Sequence, residues 1–200
     1  MTALRKTPVA LTPDAAPFAI RAERASDVVA REALLDACFG ENRHTRTCQR
    51  LRDGRAPAEG LAFSAERNGR LVGTLRLWHV SAGGRPALML GPLAVDVTCR
   101  GLGVGAALMD HALELAKARG HGAVILLGDA PYYIRFGFSA GKTGELSLPG
   151  PFERDRLLGL ELSDGALDGA RGMIAPTGAL LLKPASVRGK KARQVVPHAA

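Results

Sequence analysis

Leu93-Ala94-Val95-Asp96-Val97-Thr98-Cys99-Arg100-Gly101-Leu102-Gly103-Val104-Gly105-Ala106 runs from an apolar strand through a glycine-rich turn into a helix. Such a turn is built to cradle an anion. Glycines let backbone approach a phosphate closely, and the first N–H groups of a helix are unsatisfied and lie at the positive end of its dipole. Arg100 adds a full charge at the rim. The P-loop pattern Gly-x-x-x-x-Gly-Lys-Ser/Thr is excluded, because Gly105 is followed by Ala106-Ala107-Leu108 with neither lysine nor hydroxyl. The dinucleotide pattern Gly-x-Gly-x-x-Gly/Ala is formally met by Gly101, Gly103 and Ala106. Residues 96–99, however, separate strand from glycine where that fold needs a tight turn, which argues against a nicotinamide-dependent dehydrogenase.

Downstream of the turn, residues 104–119 carry Val104, Ala107, Leu108, His111, Leu115 and Ala118 on one helical stripe, with Gly120 as the stop. Residues 123–127 form a continuous apolar run, which predicts a strand buried on both faces and parallel to its predecessor across the helix. Upstream, the strand 87–95 is interrupted by Gly91-Pro92. A proline gives the ladder no N–H, so a bulge or a broken pairing edge is expected there.

Asn68-Gly69 between residues 61–67 and 70–80 predicts a hairpin on a type I′ turn. At the N-terminal side, 18–23 reads as a strand. Ser26 is the expected cap of a helix reaching Gly40, and 45–51 is expected to be a short surface helix. Pro131 opens a short helix to residue 136. Short strands are expected at 145–148 and 173–175, around a loop over 149–171.

Two blocks carry a family likeness. Arg100-Gly101-Leu102-Gly103-Val104-Gly105 fits Arg/Gln-x-x-Gly-x-Gly/Ala a few residues after an apolar strand. Gly128-Asp129-Ala130-Pro131-Tyr132-Tyr133-Ile134-Arg135-Phe136-Gly137-Phe138 sets an aromatic pair before Gly-Phe. On these blocks and their spacing, residues 18–148 resemble the GNAT N-acetyltransferase superfamily, and within it the YhbS-like predicted acetyltransferases. The resemblance implies an α/β fold with a mixed, mostly antiparallel central sheet flanked by helices and splayed at the acetyl-CoA-binding strands.

It also implies acetyl-CoA as co-substrate and an amine-bearing acceptor that attacks the thioester directly. Backbone of Leu93, Ala94 and Val95 would hold the pantetheine arm, and Arg100, Gly101, Leu102, Gly103, Val104, Gly105 and Ala106 the pyrophosphate. Tyr133 corresponds to the family's tyrosine that protonates the leaving sulfur. A pair of tyrosines on a short amphipathic helix also serves as core with satisfied hydroxyls, so the motif is what favours the catalytic reading. Asp129 is expected to cap the helix at Pro131.

A general base is needed for the amine. Residues 87–90, where some relatives place a glutamate, hold no acid. Glu66, His79 and Asp96 are the remaining candidates, with turn capping the other reading of Asp96 and an ordinary half-buried histidine that of His79. The missing base supports the alternative of a non-catalytic acyl-CoA-binding or regulatory module.

The chain has 200 residues, 46% of them hydrophobic, enough for one core. We expect a transferase domain over 18–182 between an N-terminal arm (1–17) and a basic tail (183–200). Arg5, Lys6, Lys183, Arg188, Lys190, Lys191 and Arg193 against Asp14 put most of the net charge of +8 into those ends. The nearly neutral body and few aromatics argue against a specific nucleic-acid partner.

Cys38, Cys48 and Cys99 are odd in number and lack paired spacing, which fits a reducing cytoplasm without a disulfide framework. Cys99 reads as an incidental exposed thiol. His44, His111, His121 and His198 show no ligand spacing, so no metal is expected. No apolar run approaches membrane-spanning length, and a monomer or homodimer is expected.

Overall fold

In the computed structural model, residues 18–181 are described. The expected arms over 1–17 and 183–200 lie outside them. Among the described residues the strands are β1 (Ala19–Ala22), β2 (Ala62–Arg67), β3 (Arg70–Ala82), β4 (Arg85–Val95), β5 (Ala123–Leu127), β6 (Leu146–Ser147), β7 (Leu157–Glu161) and β8 (Gly172–Pro176). Helices α1 (Val28–Phe39), α2 (Val104–Ala118) and α3 (Ala130–Tyr133) flank them.

The strand order is β1-β2-β3-β4-β5-β7, with β8 on the β3 edge beyond β2 and β6 beside β8. In the main path only β4 and β5 are parallel, joined across α2. This is the mixed, mostly antiparallel sheet expected.

Period-two patterning explains the two cores. Leu88, Leu90, Val124 and Leu126 face α2, packing with Leu108, Met109 and Ala112. Ala87, Met89, Ala123 and Ile125 face the other way, onto Trp78, Leu146, Leu157 and Ile174. The hairpin turn is as read: Asn68 (φ 52°) and Gly69 (φ 73°) both take positive φ.

Four local expectations are corrected. The buried face of α2 runs through Val104, Leu108, Met109, Ala112 and Ala116, while His111 is exposed with its ring against Phe63. The turn before α1 is held by the Asp27 carboxylate, which accepts the Arg24 N–H (2.8 Å), and not by Ser26. Asp27 is buried and also binds Arg21 and Ser64, so its charge is spent inside the fold.

The expected surface helix at 45–51 is instead two 3-10 turns, Glu41–Thr45 and Thr47–Leu51, and Leu51 is fully buried. Within the expected loop 149–171 lies β7, whose Leu-Leu-Gly-Leu-Glu pairs along all of β5. No helix among the described residues is long and apolar enough to cross a membrane.

Candidate active site

The parallel pairing of β4 with β5 is short. Only Leu88 opposite Val124 and Met89 opposite Ile125 are in register, after which the strands part. The cause is visible in the sequence: Gly91 and Pro92 together oppose the single residue Arg76 between the Leu77–Leu90 and Leu75–Leu93 pairs. A bulge of this kind bends its strand. Trp78 Nε1 fixes it by donating to the Gly91 carbonyl (2.7 Å).

Beyond the bulge, β4 stays with β3 as far as Val95 opposite Gly73, while β5 turns away with β7 as far as Leu127 opposite Leu157. Between them opens a groove of about 730 Å³, lined on this side by Leu90, Gly91, Pro92, Leu93, Tyr132 and Tyr133. Ala94 is buried beneath Leu34 and Leu35 of α1, and the Val95 carbonyl accepts the Cys38 thiol (3.5 Å).

At the end of β4 the chain enters the glycine turn. Asp96 caps it, its side chain accepting from Thr98 N (2.8 Å) and Thr98 Oγ1 (2.7 Å), and these bonds lower the Asp96 pKa. Cys99 is buried, which corrects its reading as an exposed thiol. Gly101 and Gly103 both take φ 81°, and Gly103 is the N-cap of α2.

The bond from Ala107 N to Gly103 O (2.9 Å) closes the first turn of α2, so the N–H groups of Val104, Gly105 and Ala106 precede it at the positive helix end. Val104 is buried, Leu102 is half-exposed, and Arg100 stands at the surface. A side chain on Gly105 would meet the Tyr132 hydroxyl at 2.8 Å, so α3 closes directly over this turn.

Tyr132 and Tyr133 stack edge to face at 4.9 Å, and Tyr133 leans on Phe138 at 6.0 Å. Arg135 sits 4.2 Å over the Tyr132 ring. Gly128 leaves the space that the Tyr133 ring fills. Burial pushes the Tyr133 hydroxyl up to about 12 and raises that of Tyr132 as well. Both hydroxyls therefore stay protonated at neutral pH.

The Asp129 side chain does not cap α3. It is exposed and pairs with Arg156 (3.1 Å), which corrects the capping expectation.

The opposite wall has no motif in the sequence. It is formed by Phe39 at the end of α1, by Arg43, Arg46, Thr47, Cys48 and Arg52 in and beside the two 3-10 turns, and by Pro151, Phe152, Glu153 and Arg156 ahead of β7. Thr47 Oγ1 donates to the Pro151 carbonyl (2.6 Å) and ties these two segments together.

None of the expected base candidates lines the groove. Glu66 is held by Arg21 (2.8 Å), Asp96 caps its turn, and His79 lies beside His121 (5.4 Å) in a separate hollow with Gly84 and Thr177.

A mostly antiparallel sheet, parted at the parallel strand pair of its main path and followed by a helix that starts on a glycine turn, is what these elements make. The sequence model of the acetyltransferase (GNAT) family matches residues 29–138, more than half of the chain, and the protein belongs to that family.

It is 29% identical over 157 residues to the uncharacterised N-acetyltransferase YhbS of Escherichia coli K12, covering 78% of this chain and 93% of that one. The crystal structure of Escherichia coli YhbS in complex with CoA superposes with a TM-score of 0.70 at 27% identity, covering 87% of this chain and 94% of that chain. A GNAT family acetyltransferase from Brucella melitensis in complex with acetyl-CoA gives 0.55 at 26%, covering 76% and 99%.

Proposed function

We propose that the protein transfers the acetyl group of acetyl-CoA to a primary amine by direct attack. The parting of β4 from β5 beyond Met89 and Ile125 is the observation that carries this reading. It leaves one edge of β4 around Leu93, Ala94 and Val95 for the amides of the pantetheine arm to add to as a further strand. The pyrophosphate then falls at Arg100, Gly101, Leu102, Gly103, Val104, Gly105 and Ala106, where helix dipole and backbone N–H groups coincide. The similar proteins crystallised with CoA and acetyl-CoA support this choice of donor.

The amine nitrogen bonds to the thioester carbonyl carbon, and the C–S bond breaks. Backbone N–H groups at the parted edge stabilise the developing oxyanion. Tyr133 gives its hydroxyl proton to the departing sulfur and takes one back from solvent, and the proton released by the amine leaves to solvent. Burial keeps that hydroxyl loaded. No covalent enzyme intermediate is required. The three free cysteines suit a reducing cytoplasm as the place of action.

Acetyl-CoA is expected to raise the melting temperature by mass action, while NAD and ATP at the same concentration leave it unchanged. A shift with NAD alone overturns the donor. Release of CoA thiol with a panel of primary amines then tests transfer, and a shift without release for any amine replaces the enzyme by a binding module.

A further inference from the structure

The acceptor wall of the groove carries four arginines, Arg43, Arg46, Arg52 and Arg156, against two carboxylates, Asp129 and Glu153. Three of them have evident employment. Arg43 is held by Asp36 (2.7 Å) and Glu32, and Arg156 lies between Asp129 (3.1 Å) and Glu153 (3.5 Å). Arg46 is exposed, donates to the Phe39 carbonyl (3.1 Å) and lies over the Phe39 ring (5.2 Å).

Arg52 differs. It is half-buried, and its hydrogen bond among the described residues is the one from Nε to the Cys48 carbonyl (3.2 Å) of its own turn. That leaves Nη1 and Nη2 unengaged. No carboxylate of the described residues lies within ion-pair distance of them. The charges acting on it are Arg43 and Arg76, of the same sign, and Asp53, whose carboxylate receives the Gln49 amide (2.7 Å). Burial, the largest influence, pulls its pKa down.

We infer that the acceptor is an amine that also bears a carboxylate, and that Arg52 receives that carboxylate on its two free nitrogens. A half-buried guanidinium on a groove wall with no counter-charge among the described residues is placed to take an anion from the groove, and its planar fork matches the two oxygens of a carboxylate. One guanidinium balances one such charge. The excess of arginine on this wall also disfavours polycationic amines. The cofactor's pyrophosphate is not the intended anion, because it is assigned to the turn over residues 100–106, which does not line this groove. The inference rests on the acetyl-transfer reading for the word acceptor, but not for the anion site.

Two measurements test it. In the first, CoA release is followed for amino acids, each beside its own amide, with phosphoethanolamine and spermidine as phosphate and polycation arms. The acid is expected to exceed its amide by roughly tenfold or more in kcat/KM, the scale of one charge-assisted hydrogen bond. Arg52→Gln removes that preference and Arg52→Lys retains part of it, with circular dichroism melts to show that both fold.

In the second, N-acetyl amino acids and their amides are titrated calorimetrically into the CoA-loaded protein, so that binding is read without turnover. Equal behaviour of acid and amide in the wild type, or a preference that survives Arg52→Gln, overturns the inference. A clear preference for phosphoethanolamine or spermidine overturns it as well. Selective binding of the acids without CoA release for any amine upholds the anion site and strikes the transfer reading alone.

Discussion

The two walls of the groove present different chemistry to whatever lies between them. On the donor side β4 and β5, continued beyond the groove by the first turn of α2, offer mainly main-chain groups: a strand edge released by the bulge at Gly91-Pro92 and N–H groups gathered at a helix start. On the other side the 3-10 turns and the segment before β7 offer side chains, four of them arginine. Main-chain recognition depends on the course of the backbone and tolerates many sequences. Side-chain recognition changes with each residue. The donor wall is therefore suited to a fixed cofactor, and the opposite wall to a substrate particular to this chain.

The sharpest break in that contrast is at Tyr133, the one side chain of the donor wall given chemistry to do. Tyr133→Phe keeps the ring on Phe138 and Gly128 and removes only the hydroxyl. Turnover is expected to fall by about 10²- to 10⁴-fold, as for a lost general acid, with the acetyl-CoA dissociation constant unchanged. Stopped-flow or steady-state kinetics beside calorimetry separate the two. Full activity in the variant makes Tyr133 a core aromatic and leaves the donor wall purely main-chain.

Gly105 tests the main-chain half directly. A valine there collides with the Tyr132 hydroxyl, since even its Cβ lies 2.8 Å away, and its methyls crowd the N–H groups of the first turn. Acetyl-CoA affinity should weaken at least tenfold, about the loss of one hydrogen bond to a charged group. Gly103→Ala has open space but must adopt φ 81°, so it should cost about 1–2 kcal/mol of stability, read from urea midpoints. Unchanged affinity in a folded Gly105→Val protein would move the phosphate site elsewhere.

This division also governs what the sequence reveals. The donor wall was legible because its requirements are stereochemical: glycines at positive φ, a proline that breaks a ladder and an apolar run two faces deep all leave marks in the residues themselves. The opposite wall left none. Thr47 and Leu51 sit in an arginine-rich, polar stretch whose burial depends on distant partners, the Pro151 carbonyl among them. β7 is obscured in the sequence because its five residues lie between arginine- and glycine-rich segments, although Leu157, Leu158 and Leu160 carry the apolar pattern of a strand. Arg52 carries no motif, and only its lack of a counter-ion among the described residues sets it apart.

The acceptor wall should respond locally, and more weakly. Thr47→Ala deletes the bond from Oγ1 to the Pro151 carbonyl that joins its two segments. We expect a loss of about 1 kcal/mol in unfolding free energy and a rise in KM for the amine, with acetyl-CoA affinity held. Calorimetry on acetyl-CoA is the control. An equal loss of cofactor and amine binding would mean that the walls are not independent.

The smallest effect, silent at neutral pH, concerns how far the donor wall shields its own hydroxyl. The chain has two tyrosines, so phenolate absorbance reports on Tyr132 and Tyr133 alone, and Tyr133→Phe leaves a single signal. Tyr133 is raised from 10.0 to about 12 because burial penalises the phenolate. The folded state thus holds the proton more tightly than the unfolded chain, and the associated stability is complete below pH 10 and lost as pH rises through about 12. At pH 11 an ordinary phenol is about nine-tenths ionised and one at 12 only about one-tenth, so the wild-type minus Tyr133→Phe difference spectrum should show little phenolate there. The alkaline limb of kcat due to this group should likewise begin above pH 10. A difference spectrum half developed at pH 10 would mean that solvent reaches the hydroxyl, and the donor wall would then be as open as the wall opposite.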